Sequence, residues 1–314
     1  MSKTQEKTIK IFGHQVPDTD TVVSAIIYAW HYNEVLGKKA EAFVLGSLNK
    51  ETQYVLDRFD VTTPEVLNEI TKEDQIVVVD TNNILELPDD VLNGELLEII
   101  DHHKLSGGIT TDTPVIVTLR PMASTASLIY TVMNPELHPI PHDIAGIMLA
   151  AIISDTLEFR SPTTTPEDKI IAETLAEQIG VDINELATKM FEAKSDITDV
   201  DPMELILMDS KVFEMNEQKV RVSVIETTHP RGVLDKKDVI KDAMLKHIAE
   251  DEAVDEVLLF VIDILKEQAT PIVASALGEM MVEGAFGVDL KENEEVVLPG
   301  VVSRKKQIIP ALQG

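Results

Sequence analysis

The stretch Phe12-Gly13-His14-Gln15-Val16-Pro17-Asp18-Thr19-Asp20 sets one imidazole and two carboxylates close together. It follows a short apolar run of strand character, Thr8 to Phe12, and precedes an apolar helical run from Thr21 to Trp30. Open α/β sheets bind their ligands in such turns, at the C-terminal ends of strands. One nitrogen and two carboxylates suit a hard or borderline divalent cation. Pro17 stiffens the turn, and Gly13 lets the backbone come close. An ordinary polar turn, with Asp20 or Thr21 capping the helix, would use the same residues. Three further element ends of the same kind weigh against that simpler use.

Asp80 follows the β-branched run Gln75 to Val79. Asp101-His102-His103 follows Leu96 to Ile100. Asp155 follows the apolar stretch Ile144 to Ile153. Taken singly, each is a turn, cap or surface residue. Taken together, they converge on one edge of a parallel sheet. Carboxylates cannot crowd there in ionised form without cations. So many candidate ligands exceed what one ion with open positions takes, so two ions sharing a carboxylate are expected.

The chain is otherwise poor in chemistry of other kinds. It has no cysteine, which removes disulfides and thiolate metal sites. It holds 27 Lys plus Arg against 55 Asp plus Glu, a net charge of −28. Such a surface repels nucleic acid. No apolar run is long enough to span a bilayer, and Met1 to Lys7 lacks the apolar core of a signal peptide, so a cytoplasmic enzyme without a membrane partner is expected. No Walker-type phosphate loop is present. The densest basic cluster, Arg304-Lys305-Lys306, lies between apolar Val301-Val302 and Ile308-Ile309 and suits a fork for phosphate.

The elements that must position these groups alternate in the first half of the chain. Strands are expected at Ala42–Leu45, Gln75–Val79, Leu96–Ile100 and Val115–Leu119, with a helix over Glu51–Phe59. That alternation means a parallel sheet covered by helices. Helices are expected over Ala123–Met133, Pro141–Ser154, from Thr165-Pro166 to Gln178, and Ile183–Ala193. The composition shifts near Lys194, which divides the chain into domains at 1–194 and 195–314. The second domain is expected to hold a hairpin (Lys211–Met215 and Lys219–Ile225, turning at Asn216-Glu217), a helix over Lys236–Glu250, and strands at Val257–Ile264 and Ile272–Leu277. The fold class is α/β in two domains: a parallel sheet flanked by helices, and a smaller mixed α/β domain, with the active site in the cleft between them.

These motifs resemble those of family II inorganic pyrophosphatases, the manganese- or cobalt-dependent branch of the DHH phosphoesterase superfamily. The likeness rests on Gly13 to Asp20, Asp80-Thr81-Asn82, Asp101-His102-His103, Ser154-Asp155-Thr156 and Ser303-Arg304-Lys305-Lys306-Gln307, and so covers nearly the whole chain. The last motif discriminates, since nuclease members carry a Gly-rich, His-containing motif instead. The resemblance implies a first domain of DHH type and hydrolysis of pyrophosphate to two phosphates by a metal-bridged hydroxide. It implies two Mn²⁺ or Co²⁺ per subunit and additional Mg²⁺ with substrate. One metal would be held by His14, Asp18 and Asp80, the other by Asp20, Asp80, His102 and Asp155. His103, Lys219, Arg304 and Lys305 would contact the phosphates. A homodimer through the first domain is implied as well. Thr81 departs from the family pattern, which often has His there. The rival reading within the superfamily is a phosphoesterase acting on short oligonucleotides, cyclic dinucleotides or polyphosphate. A rival of another class is a metal-dependent binding module without turnover.

Overall fold

The apolar run that opens the chain forms β1 (Ile9–Phe12), and it pairs with strands from two distant parts of the sequence. It lies between β2 (Ala40–Val44) and β4 (Gln75–Val79), parallel to both. The computed structural model describes residues 7–215, 218–290 and 295–314. It divides into two compact units, one ending at Ala193 and the other beginning at Lys194.

In the first unit the sheet continues outward from β2 to the two-residue β3 (Glu65–Val66). On the other side it runs from β4 to β5 (Glu95–Asp101) and β6 (Ile116–Leu119). The order is β3-β2-β1-β4-β5-β6, with every pairing parallel. In this order the sheet reverses direction between β1 and β4, the place where such sheets bind ligands. Ile76, Val77, Val78 and Val79 are all fully buried, as a central strand covered on both faces requires.

Helices cover one face: α1 (Thr19–Glu34), α2 (Lys50–Arg58), α3 (Thr125–Met133), α4 (His142–Thr156), α5 (Pro166–Ile179) and α6 (Ile183–Lys194). On the other face Phe12, Ile76, Val78 and Ile99 pack with Ile70, Leu87 and Val91. A helix without a polar stripe must be surrounded, and in α4 every residue from Ile144 to Ile153 is buried. Three boundaries differ from those expected. Asp18, not Asp20 or Thr21, caps α1 and accepts from the Thr21 N–H. The third helix starts at Thr125, where Ser124 caps it. The fourth runs on to Thr156, so Asp155 lies in its last turn.

The second unit opens with α7 (Pro202–Met208), β7 (Ser210–Met215) and β8 (Gln218–Thr227). The turn expected at Asn216-Glu217 lies outside the described residues. Then follow α8 (Arg231–Leu234), α9 (Lys237–Glu250), β9 (Glu256–Asp263), β10 (Gln268–Val273), α10 (Ala276–Phe286) and β11 (Leu298–Pro299). The sheet order is β11-β10-β9-β8-β7, mixed, with β8 and β9 parallel. The expected strand at Ile272–Leu277 sits earlier because Ser275 caps α10. The basic segment is no loose tail. Arg304–Ile308 forms a π-type turn that leads into α11 (Ile309–Gln313), and Ile308, Ile309 and Leu312 join the core. Among the described residues no helix is long and apolar enough to cross a membrane.

Gly146 lets α4 pack against the ring of Phe59. A Cβ there would stand 2.2 Å from Phe59 Cδ1. Gly→Ala in a helix ordinarily stabilises, but here overpacking reverses the sign. Gly146→Ala is expected to lower stability by about 1–3 kcal/mol, read as a lower urea midpoint at unchanged slope. Adding Phe59→Leu should restore part of the loss.

Candidate metal centre

The close approach of β1 to β4 begins the site. A Cβ on Gly13 would lie 2.8 Å from the Val79 carbonyl oxygen, so the chain can leave β1 at this point only with glycine. His14 follows, and its Nε2 lies 3.5 Å from Asp80 Oδ2 and 3.7 Å from Asp18 Oδ2. Asp18 uses its other oxygen to cap α1, accepting from the Thr21 N–H at 2.9 Å. Asp80 leaves β4 with φ of 60°, in the left-handed region, while its N–H donates to the Ile100 carbonyl at 2.9 Å. Asp tolerates that region better than most residues, and such strain gathers at functional sites.

On the far side of Asp80, its Oδ1 lies 3.5 Å from His102 Nε2, which is 3.7 Å from Asp155 Oδ2. Asp20, in the first turn of α1, is fully buried. Its oxygens accept the Thr125 N–H at 2.6 Å and the Ala126 N–H at 3.0 Å. Three sets of ligand atoms lie within 4.8 Å of one another: His14/Asp18/Asp80, Asp20/His102/Asp155 and Asp80/His102/His103.

These residues fit divalent cations. Two ligand atoms at about 2.1 Å from one ion stand about 3.0–3.4 Å apart. The 3.5–3.7 Å separations here are long for hydrogen bonds and close to that span. The tautomer of His102 points the same way. Its Nδ1 lies 3.0 Å from the Met122 carbonyl, an acceptor only, so Nδ1 carries a proton and the neutral ring would turn its lone pair at Nε2 toward the site. That Nε2 is buried and has no hydrogen-bond partner. A metal-ligating His is held this way by its other nitrogen.

Asp101 belongs to none of the three sets. It is buried and turned toward His103, accepting from the His103 ring Nδ1 at 2.8 Å and its N–H at 3.0 Å. The Asn82 amide donates to its other oxygen. Burial works to raise the Asp101 carboxyl, but the bonds from His103 and Asn82 hold it below the usual carboxylate range. Thr81, the departure from the family pattern, donates to Glu86 Oε2 at 2.6 Å. Sequence reasoning missed Thr21 and Thr125, whose hydroxyls donate to the two oxygens of Asp80. Nothing in the local pattern marks either residue.

Without a cation, protons offset the charge. Burial works to lower the His14 pKa, but the Asp18 and Asp80 carboxylates override it and push it up to about 10. Burial, with the charges of Asp80, Asp155 and Asp18, drives Asp20 well above the usual carboxylate range.

The phosphate-binding candidates other than His103 lie in the second unit. Arg304 donates to the Asp209 carbonyl at 2.7 Å and pairs with Asp209 Oδ1 at 2.8 Å. The flanking motif residues build its platform. The Gln307 side chain accepts the Val302 and Ser303 N–H groups at 2.9 Å and donates to the Gly300 carbonyl. Ser303 caps the turn by accepting the Lys306 N–H. Lys305 and Lys306 stay exposed.

The structure does not bring Lys219 to Arg304. Val224 N–H donates to the Asp209 carbonyl, so the β7–β8 ladder reaches Asp209. Side chains alternate along a strand, which puts Asp209 and Lys211 on the face shared with Phe213. That face holds the core of Val220, Val222, Val224 and Ile308. Lys219 stands opposite Glu214. It is therefore on the other face, and about 17 Å along the strand from Asp209. On that other face Arg221 Nε reaches His247 of α9 at 2.9 Å. Lys211 is the lysine on Arg304's side.

Known proteins share this plan. Residues 8–152 match the DHH family N-terminal domain, and residues 188–314 match the DHHA2 domain. A probable manganese-dependent inorganic pyrophosphatase of Lactobacillus johnsonii is 39% identical over 304 residues, 96% of each chain. One of the same description from an Exiguobacterium species is 38% identical over 306 residues, 97% of each chain. The crystal structure of a putative family II inorganic pyrophosphatase of Methanococcus jannaschii is similar, with a TM-score of 0.60 and 34% identity, over 97% of this chain and 98% of that one.

Cations and protons compete for these ligands. Because His14 is protonated below about 10 in the cation-free site, Mn²⁺ binding near neutral pH should release protons and weaken as pH falls. Calorimetric titration in two buffers of different ionisation enthalpy counts the protons. An identical heat in both would contradict the competition.

Proposed function

The chain belongs to the manganese-dependent inorganic pyrophosphatases, and we propose that it hydrolyses inorganic pyrophosphate to two phosphates at a two-metal site on the first unit. The observation that carries this reading is the buried Nε2 of His102, facing Asp80 and Asp155 with no hydrogen-bond partner. In this reading one ion is held by His14, Asp18 and Asp80, and the other by Asp20, Asp80, His102 and Asp155. Asp80 is the shared ligand. Imidazole would favour Mn²⁺ or Co²⁺ over Mg²⁺ in these two places, and additional Mg²⁺ would accompany the substrate. When bound, such ions lower the pKa of water from about 15.7 toward about 7 and neutralise charge on the attacked phosphoryl group.

The protein's own groups do the rest. His103, its ring fixed through Nδ1 by Asp101, presents Nε2 to a phosphate oxygen. Arg304, held at Asp209, and Lys305 bind the leaving phosphate and offset the charge that builds in the transition state. Lys211 takes the part that the resemblance gave to Lys219, since it shares Arg304's face of the sheet. No covalent enzyme intermediate is needed.

The test is phosphate release from pyrophosphate by protein stripped with chelator and reloaded with Mn²⁺ or Co²⁺, with Mg²⁺ present. Fast release that requires the transition metal, with little activity on dinucleotides or nucleoside triphosphates, is expected. Turnover of dinucleotide or polyphosphate alone would move the protein to a sister branch of the superfamily.

The basic residues are tested separately. Arg304→Ala should leave Mn²⁺ affinity unchanged and lower turnover about 10²–10³-fold. Lys211→Ala should raise KM or lower turnover, and Lys219→Ala should match the wild type. Equal metal loss in Arg304→Ala, or a defect confined to Lys219→Ala, would sink this assignment.

A further inference from the structure

The segment Met122–Ala126 touches three of the proposed ligands at once, although none of its own residues is a ligand. The Met122 carbonyl accepts from His102 Nδ1. The Thr125 and Ala126 N–H groups hold the two oxygens of Asp20. The Thr125 hydroxyl donates to Asp80 Oδ1 at 2.9 Å. The segment is itself fixed from behind. Ala123 N–H lies 3.2 and 3.1 Å from the two oxygens of Asp168, a fully buried carboxylate. Asp168 also completes the cap of α5 by accepting from the Thr165 N–H and hydroxyl at 2.8 and 2.6 Å.

Thr125 is the one residue in this segment that reaches two ligands, Asp20 through its backbone and Asp80 through its side chain. Its hydroxyl is not needed to cap α3, because Ser124 does that by accepting the Ser127 N–H at 3.0 Å. Nor does it compete with Thr21, which serves the other oxygen of Asp80. We infer that Thr125 is a positioning residue: its hydroxyl fixes the carboxylate plane of Asp80, and through that shared ligand sets the affinity of both metal positions. This rests on the two-metal reading above. Without the Thr125 hydroxyl Asp80 keeps its hydrogen bond from Thr21, and the carboxylate can pivot about that bond away from the plane that would serve both ions.

The test compares Thr125→Val, which keeps the volume and the backbone N–H but drops the hydroxyl, with Thr125→Ser, which keeps the hydroxyl but drops a methyl group. Equilibrium dialysis of the stripped full-length protein against Mn²⁺ gives stoichiometry and affinity without recourse to activity, and urea unfolding reports stability. The expected result is a 10–100-fold loss of Mn²⁺ affinity in Thr125→Val, the usual range for groups that orient a ligand. Thr125→Ser should bind as the wild type does, even where its urea midpoint falls. Wild-type affinity in Thr125→Val would overturn the inference. So would equal losses of affinity in both variants, which would mean that Thr125 acts by packing. Failure of the wild-type protein itself to bind two Mn²⁺ would overturn the metal-centre reading, and this inference with it.

Discussion

Negative charge buried at one sheet edge is the constraint around which the first unit is built. Asp20, Asp80 and Asp101 are all buried there, and Asp155 lies beside them in the last turn of α4. Two like charges about 4 Å apart repel by about 4 kcal/mol at an effective dielectric of about 20. A hydrogen bond to a charged group returns about 1.5–3 kcal/mol. Hydrogen bonds alone therefore do not balance several such pairs. The fold relieves each acid differently. Asp101 is withdrawn to His103 and Asn82. Asp20 is held by the first turn of α3, whose N–H groups and dipole favour an anion. Asp80 accepts from two hydroxyls and faces three imidazoles, those of His14, His102 and His103. What remains after these arrangements is a demand for cations at Asp80.

The second unit answers with the opposite charge on a rigid mount. In a chain with a net charge of −28, a small anion meets repulsion over most of the surface. Arg304, Lys305 and Lys306 are displayed by a turn whose backbone is satisfied from within by Ser303 and Gln307. The two polar residues that flank the basic triplet thus have a mechanical role. Arg304 is further held by Asp209, so it would lose little side-chain freedom on meeting a phosphate.

What was legible in the sequence was whatever sits at the end of a regular element. The strand pattern located β1, β4 and β5, and with them His14, Asp80 and His102, because a parallel strand buried on both faces is a plain apolar run ended by polar residues. Boundaries inside helices were less readable. Asp18 and Asp20 both make sound caps, and only the observed Thr21 N–H bond separates them. The groups that hold the ligands were not legible at all, since Thr125 and Asp20 lie 105 positions apart and meet only in the folded sheet. The position of Lys219 relative to Arg304 was not legible for a related reason. Its place relative to Arg304 depends on strand register, and a shift of one residue moves a side chain to the other face.

The order of residues along the chain has a consequence during synthesis. All the proposed ligands lie in the first unit, the last of them at Asp155, while Arg304 and Lys305 lie near the far end of the second. The strands that carry the ligands join through β1–β4 pairing, a long-range step that must precede any site. Chains grow at about 5–20 residues per second and fold from the N-terminus. The residues from Lys194 to Gly314 therefore take about 6–24 s more to make. In the two-metal reading the nascent first unit would carry all its ligands, and His103, for that interval before Arg304 and Lys305 exist. In that reading metal acquisition would precede catalytic competence, and a metal bound this early would stabilise the half-made protein by mass action while it is still on the ribosome.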